Sequence, residues 1–202
     1  MQDRTYADLK ALIQALSGVG SFTTEEDVNI VNFVNRRASQ AYHMSPSWPR
    51  YLVASEERTI TTANLIPYEQ ATKNDIGEFV RIHRTQAFLN NSALEYDFFV
   101  DSNGANILNL VATTDTSAFV TYKKELALFT ADSTDIPGEF FNFLAHSAYA
   151  DFLRMDGQHG KALTEEEVAQ SYIDSQLEQI DIRNNNNSIN HKFSTYVNRQ
   201  SR

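Results

Sequence analysis

Residues 135–183, DIPGEFFNFLAHSAYADFLRMDGQHGKALTEEEVAQSYIDSQLEQIDIR, decide the fold. Asp135-Ile136-Pro137-Gly138-Glu139 opens a helix, and Phe140, Phe141, Leu144, Ala148 and Phe152 give it an apolar stripe at helical spacing. Gly157-Gln158-His159-Gly160 reads as a corner, with a glycine on each side of it. Thr164-Glu165-Glu166-Glu167 then reads as a capping box that starts a second helix through Val168, Tyr172, Ile173, Leu177 and Ile180. After Arg183 come Asn184, Asn185, Asn186 and Asn187, which lack the apolar content needed to offset ordering. The sequence therefore predicts a helical hairpin followed by a hinge and a separate terminal arm.

The same helical period returns at the other end of the chain. Leu9, Leu12, Ile13 and Leu16 follow Thr5, with Gly18 as a stop. Thr23-Thr24-Glu25-Glu26 is a capping box for a helix placing Val28, Val31, Val34, Ala38 and Ala41 on one side, with Arg36, Arg37 and Gln40 near the other. Ser45-Pro46-Ser47-Trp48-Pro49 ends that pattern, because two prolines so close together cannot continue a helix. Trp48, with the largest apolar surface of any side chain, reads as a core anchor, the alternative being an anchor for a partner.

Between the helical ends the period shifts toward two. Glu78 to Arg84, Tyr96 to Val100, Asn106 to Val111 and Ala118 to Tyr122 read as strands. The second and third of these flank Asp101-Ser102-Asn103-Gly104, a hairpin signal. The expected class is α+β: a mostly helical bundle of about four helices, an inserted small antiparallel β-domain and an extended C-terminal arm. The expected segments are a helical pair at 1–52, a β-rich insertion at 53–134, a helical hairpin at 135–183 and a flexible arm at 184–202.

Composition bounds the chemistry. With 42% hydrophobic residues, including 13 Phe and 9 Tyr, the chain can build a core. Its net charge of −9 argues against nonspecific adhesion of the whole body to DNA or anionic membrane. Residues 183–202 carry Arg183, Lys192, Arg199 and Arg202 and no acid, so this segment is +4 and the remainder is −13 (−9 less +4). A basic tail on an acidic body can pair with an acidic surface, including that of a neighbouring copy. No cysteine is present, which removes disulfides, thiolate catalysis and cysteine zinc sites. No apolar run approaches the roughly 18 residues of a membrane span, and no apolar signal segment follows Met1, so neither a membrane nor secretory export is expected.

No catalytic constellation stands out. His43, His83, His146, His159 and His191 lie one per region without ligand spacing, so no metal and no cofactor is expected. Glu165, Glu166 and Glu167 read as helix-capping acids, favoured there by the helix dipole. His146, Ser147 and Asp151 lie close in sequence, but nothing supplies an oxyanion hole or a strand-to-helix elbow. The seven glycines mark turns and helix ends and form no phosphate loop. Arg81-Ile82-His83-Arg84 lacks the interleaved aromatics of a nucleic-acid platform.

One arrangement of motifs does resemble a known family. Asn35-Arg36-Arg37-Ala38, Ser47-Trp48-Pro49-Arg50-Tyr51-Leu52, Tyr122-Lys123-Lys124-Glu125-Leu126, Ile136-Pro137-Gly138-Glu139-Phe140 and Asp156-Gly157-Gln158-His159-Gly160-Lys161-Ala162 occur in an order similar to the head-to-tail connector, or adaptor, proteins of tailed bacteriophages, over residues 5–182. Size and β-insertion look closer to the adaptors of short-tailed phages than to the smaller all-helical connectors.

The resemblance implies a noncatalytic virion protein at the head–tail junction, assembled in the host cytoplasm as a ring, commonly of 12 copies, beneath the portal. It would continue the channel through which genomic DNA passes without sequence-specific binding, and would seat the tail or nozzle protein. It also implies an arm that grips the portal, here Asn187, Lys192, Phe193, Tyr196, Val197, Arg199 and Arg202, with aromatics as anchors and cations for orientation. Trp48, His159 and Lys161 are candidates for inter-subunit or tail contacts. The competing readings are a virion-associated hydrolase using carboxylates from separate elements, and a module whose β-domain binds a peptide or sugar.

Overall fold

The computed structural model describes residues 3–70, 76–86, 94–108 and 115–200, with side chains described as far as Asp181. Among these residues the order is α1 (Tyr6–Ser17), α2 (Thr24–His43), β1 (Leu52–Thr59), β2 (Leu65–Pro67), β3 (Ile76–His83), β4 (Phe98–Asp101), β5 (Gly104–Ile107), β6 (Ser117–Lys124), α3 (Phe141–Met155) and α4 (His159–Gln200). The class is α+β. The chain forms two compact units: a helical one from residues 1–45 and 128–202, and a β unit from residues 46–127. The Trp48 segment, grouped by sequence with the N-terminal helices, thus belongs to the β unit.

In the helical unit the expected capping box of α2 is present, and α1 has one as well. The Thr5 hydroxyl accepts the Asp8 amide at 3.1 Å while Asp8 accepts the Thr5 amide. Thr23 and Glu26 repeat the reciprocal pair. Gly18 ends α1 in the left-handed conformation at φ 71°. The inward face of α2 is Ile30, Val34, Ala38, Ala41 and Tyr42, whereas Val28, expected inside, is exposed. Starting the stripe at Ile30 keeps it in register with Val34, Ala38 and Ala41 at steps of three and four.

α3 is the central helix. It packs against α1, α2 and α4, and its positions from Phe143 to Leu153 are almost all buried. Phe143, Leu144, Phe152 and Leu153 each contribute roughly 1.5–3 kcal/mol by leaving water. α3 does not begin at Asp135-Ile136-Pro137: there Ile136 and Arg4 exchange two backbone hydrogen bonds of 3.0 Å, an isolated antiparallel bridge. Extended residues before a proline follow from its clash with a preceding helical residue.

The corner after α3 uses Gly157 at φ 75°, and α4 begins at His159, earlier than expected. Thr164 is therefore inside the helix, its hydroxyl on the Gly160 carbonyl at 3.4 Å, and is not a cap. α4 turns Ala162, Ala169, Ile173 and Ile180 inward. Its assigned span then crosses the asparagine run, where sequence led us to expect a hinge and an extended arm. Extending an existing helix adds one hydrogen bond per residue, and asparagine costs only about 0.7 kcal/mol relative to alanine. The side chains of residues 182–200, and all of Arg202, lie outside the described residues, as does the Asn109–Val111 part of an expected strand.

The β unit has two three-stranded antiparallel sheets, ordered β1-β6-β3 and β2-β5-β4. Its core holds Ile66, Ile76, Phe79, Ile82, Tyr96, Ile107, Val120 and Tyr122. β1 carries a bulge between Val53 and Glu56, with Ser55 at φ 56°. The expected hairpin is β4–β5, but its glycine serves a different purpose. Asp101 accepts the amides of Asn103 and Gly104 and the Asn106 side chain, which shapes the turn. Gly104 pairs with Pro67, and a Cβ there would run into the Ile66 carbonyl and lie 2.8 Å from the Pro67 Cα. β2, a strand that sequence missed because it is only three residues long, thus explains the glycine.

Candidate functional site

The densest polar arrangement lies where α2, α3 and α4 meet, at the Asn35-Arg36-Arg37-Ala38 motif. Ala38 faces the core, which places Arg37 at its margin. Arg37 grips Asp151 with both prongs, Nε to Oδ2 at 2.8 Å and a terminal nitrogen to Oδ1 at 2.7 Å. The same terminal nitrogen reaches Glu166 at 3.1 Å, and the other holds Gln40 at 3.1 Å. Arg36 joins Asp151 at 2.6 Å, while Arg154 bridges Asp151 and Glu166. Asn35 completes the motif by donating to the Phe129 carbonyl at 2.9 Å and accepting the Phe129 amide at 2.7 Å.

This network is held in its charged form. Burial pushes Asp151 up, but hydrogen bonds and charge from Arg37 and Arg36 outweigh it and hold the carboxyl below its usual range. The Asp151 hydrogen bond comes first among the causes that raise Arg37. With Arg37 side chain 11% exposed and Asp151 4%, the pair is nearly desolvated, and bidentate geometry is what makes such a pair tolerable. Its chemistry is that of a clamp: each oxygen of Asp151 and Glu166 is engaged by guanidinium.

Neighbouring groups are arranged likewise. His146 Nδ1 lies 2.7 Å from Glu165 and its ring stacks on Tyr172 at 5.4 Å between centroids. The Ser147 hydroxyl donates to the Phe143 carbonyl at 2.6 Å inside α3. His146, Ser147 and Asp151 are thus turned to three different partners. Glu165 and Glu166, read from sequence as caps, join helices instead, because α4 starts a turn and a half before them. Asp151 was the legible signal for this clamp: an acid amid the apolar run of α3 needs cations from neighbouring helices.

In the β unit, Arg58 is fully buried on β1. It lies 4.8 Å over the Tyr122 ring and pairs with Glu56 at 2.8 Å, while the Tyr122 hydroxyl donates to Glu56 at 2.7 Å. Burial pushes Lys123 down, against the attraction of Glu78. Burial first, then donation to Asp115, pushes Tyr96 up to about 12, and the same hydrogen bond leads the causes that lower Asp115. Arg84 completes that cluster at 3.0 Å from Asp115.

The residues predicted for contacts are placed separately. Trp48 is 1% exposed, so its indole packs inside and the surface role considered for it is corrected. Its carbonyl accepts the Tyr51 and Leu52 amides at 3.0 Å, so the Trp-Pro segment turns tightly into β1. His159 and Lys161 are exposed on the first turn of α4. The side chains of Asn187, Lys192, Phe193, Tyr196, Val197 and Arg199, and Arg202 entirely, lie outside the described residues. Among the described residues no group of three or more His, Asp or Glu is placed to hold a metal ion, and no helix is long and apolar enough to cross a membrane.

No protein-family model matches the chain, and no curated protein matches it.

Proposed function

We propose that this chain is a noncatalytic structural adaptor of a phage neck. In this reading about a dozen copies form a ring under the portal, continue the DNA channel and offer the docking surface for the tail. One observation carries the reading: α4 runs on to Gln200 across a stretch whose charge differs from that of the rest of the chain. Residues 183–202 carry Arg183, Lys192, Arg199 and Arg202 and no acid, on a chain otherwise at −13 (−9 less +4). A basic segment on an otherwise acidic chain suits attachment to another protein. Here that protein is the portal, with Lys192, Phe193, Tyr196, Val197 and Arg199 as the gripping residues. The clamp around Arg37 and Asp151 fits the same reading, since it ties three helices into one block able to carry load.

Deleting residues 184–202 tests this. The truncated protein is expected to keep its melting temperature and helical signal and to lose co-sedimentation with portal particles. Attachment by the truncated protein would refute the assignment of the arm.

A further inference from the structure

The clamp leaves one charge over. Arg36, Arg37 and Arg154 meet two carboxylates, Asp151 and Glu166, and the surplus cation sits outermost. The Arg36 side chain is 57% exposed, against 11% for Arg37 and 36% for Arg154. It reaches Asp151 through one terminal nitrogen and lies over the Phe33 ring at 5.6 Å, and among the described residues it has no other partner. Stacking on Phe33 holds the guanidinium in place, so little of its freedom remains to be lost on binding. Around it α2 is free of acids: over residues 28–43 the charged or titratable residues are Arg36, Arg37 and His43. Val28, Asn32, Arg36 and Ser39 line the exposed side of the helix. Val28 is 57% exposed, and Asn29 beside it touches the sulfur of half-exposed Met155 at 3.8 Å.

α4 shows the opposite charge. Over residues 162–181 it carries Glu165, Glu166, Glu167, Asp174, Glu178 and Asp181 and no Lys, Arg or His. Glu165 is taken by His146, and Glu166 by Arg37 and Arg154. Glu167, Asp174 and Glu178 follow one another at steps of seven and four, so they share one exposed side of the helix. Leu163, one turn before Glu167, is also 57% exposed. Among the described residues no cation pairs with these three acids; Asp174 accepts the neutral Gln170 side chain at 2.8 Å. Every side chain of residues 28–43 and 162–181 is described, and both stretches belong to the helical unit.

We infer that two copies of this chain join head to tail through these helix faces: the exposed side of α2 around Arg36 docks on the acidic side of α4 of the next copy. Arg36 would bridge to Glu167 or Asp174 of that copy, and Val28 and Leu163 would supply apolar contact beside the charges. Two different faces on one chain make a heterologous contact, which repeats from copy to copy and closes into a ring when its rotation permits. The inference rests on the ring reading above and names its interface. Portal attachment through residues 184–202 is measured separately, so failure of this contact leaves the adaptor reading standing.

The chain has no cysteine, so introduced ones report contacts without background. Full chains carrying Ser39→Cys, beside Arg36, are mixed with full chains carrying Ser171→Cys, between Glu167 and Asp174. A short bismaleimide is added at low salt, and cross-linked peptides are identified by mass spectrometry. Links from position 39 of one copy to position 171 of another should dominate and fade as salt is raised. Sedimentation velocity measures association directly. Arg36→Gln should weaken it about tenfold, Glu167→Gln with Asp174→Asn comparably, and all three together no further. Circular dichroism checks each fold, and the variant of the two exposed acids decides the matter if Arg36→Gln does not fold. Absence of association, or association indifferent to both the Arg36 and the acid substitutions, overturns the proposal. Links that join position 39 to 39 or 171 to 171 overturn it as well, since the copies would then meet through other faces.

Discussion

Replacing Asp151 with asparagine keeps the shape of the side chain and removes the charge on which three guanidiniums converge. Arg37, nearly buried, would keep Glu166 and Gln40 but lose its bidentate partner. Removing one member of a buried pair leaves an uncompensated charge, at about 3–5 kcal/mol. Glu166 softens that, so about 3 kcal/mol is expected, or roughly 6–12 °C in Tm for a chain of this size. The control is Arg36→Gln: Arg36 is more than half exposed, and exposed pairs are worth about 0–1 kcal/mol. Urea unfolding followed at 222 nm reads both variants. The pH profile adds a second signature. A carboxylate with a depressed folded pKa contributes stability that is fully present above its unfolded value, about 3.9, and lost as pH falls through the folded value. The wild type should therefore lose stability below about pH 4 more steeply than Asp151→Asn. If Asp151→Asn stays within about 1 kcal/mol of wild type, or shows the same acid limb, the clamp is not what holds these helices together.

Two other substitutions probe the β unit, whose unfolding the sole tryptophan, Trp48, reports by fluorescence. Gly104→Ala should destabilise it by about 2–4 kcal/mol, because the new methyl meets the β2 backbone and φ is 147°; a loss under about 0.5 kcal/mol would refute the close approach. Lys123→Met should stabilise it by about 1 kcal/mol near neutral pH, since burial opposes the lysine charge more than Glu78 supports it. A folded pKa lowered for a lysine means stability gained as pH rises through it, so the advantage of methionine should shrink at high pH.

The parts legible in the sequence were those fixed by local chemistry. Thr23 with Glu26 caps its helix within one turn, Gly18 stops α1, and Gly157 supplies the left-handed residue at the corner. Features set by distant partners were not legible. Thr164 with Glu167 has the spacing of a capping box, yet α4 begins earlier, and Glu165 and Glu166 find His146, Arg37 and Arg154. Gly104 looked like a turn residue, but its constraint comes from Ile66 and Pro67, nearly forty residues earlier in the chain. Arg36 and Arg37 were read as facing away from the core, and only the position of Asp151 on α3 shows why one of them turns inward. Trp48 in the core follows from size alone.

β1 and β6, the first and last strands of the β unit, are antiparallel neighbours. Leu52 lies opposite Lys123, and the Lys124 amide donates to the Tyr51 carbonyl at 2.7 Å. The chain therefore enters and leaves the unit side by side, at the same end of one ladder. Tension applied through both connections would load the ladder like a zipper, opening its hydrogen bonds one after another from Lys124 inward. A pull along the strands would instead have to break them together. Under tension through both connections, the β unit would therefore open from the end where the chain enters and leaves it.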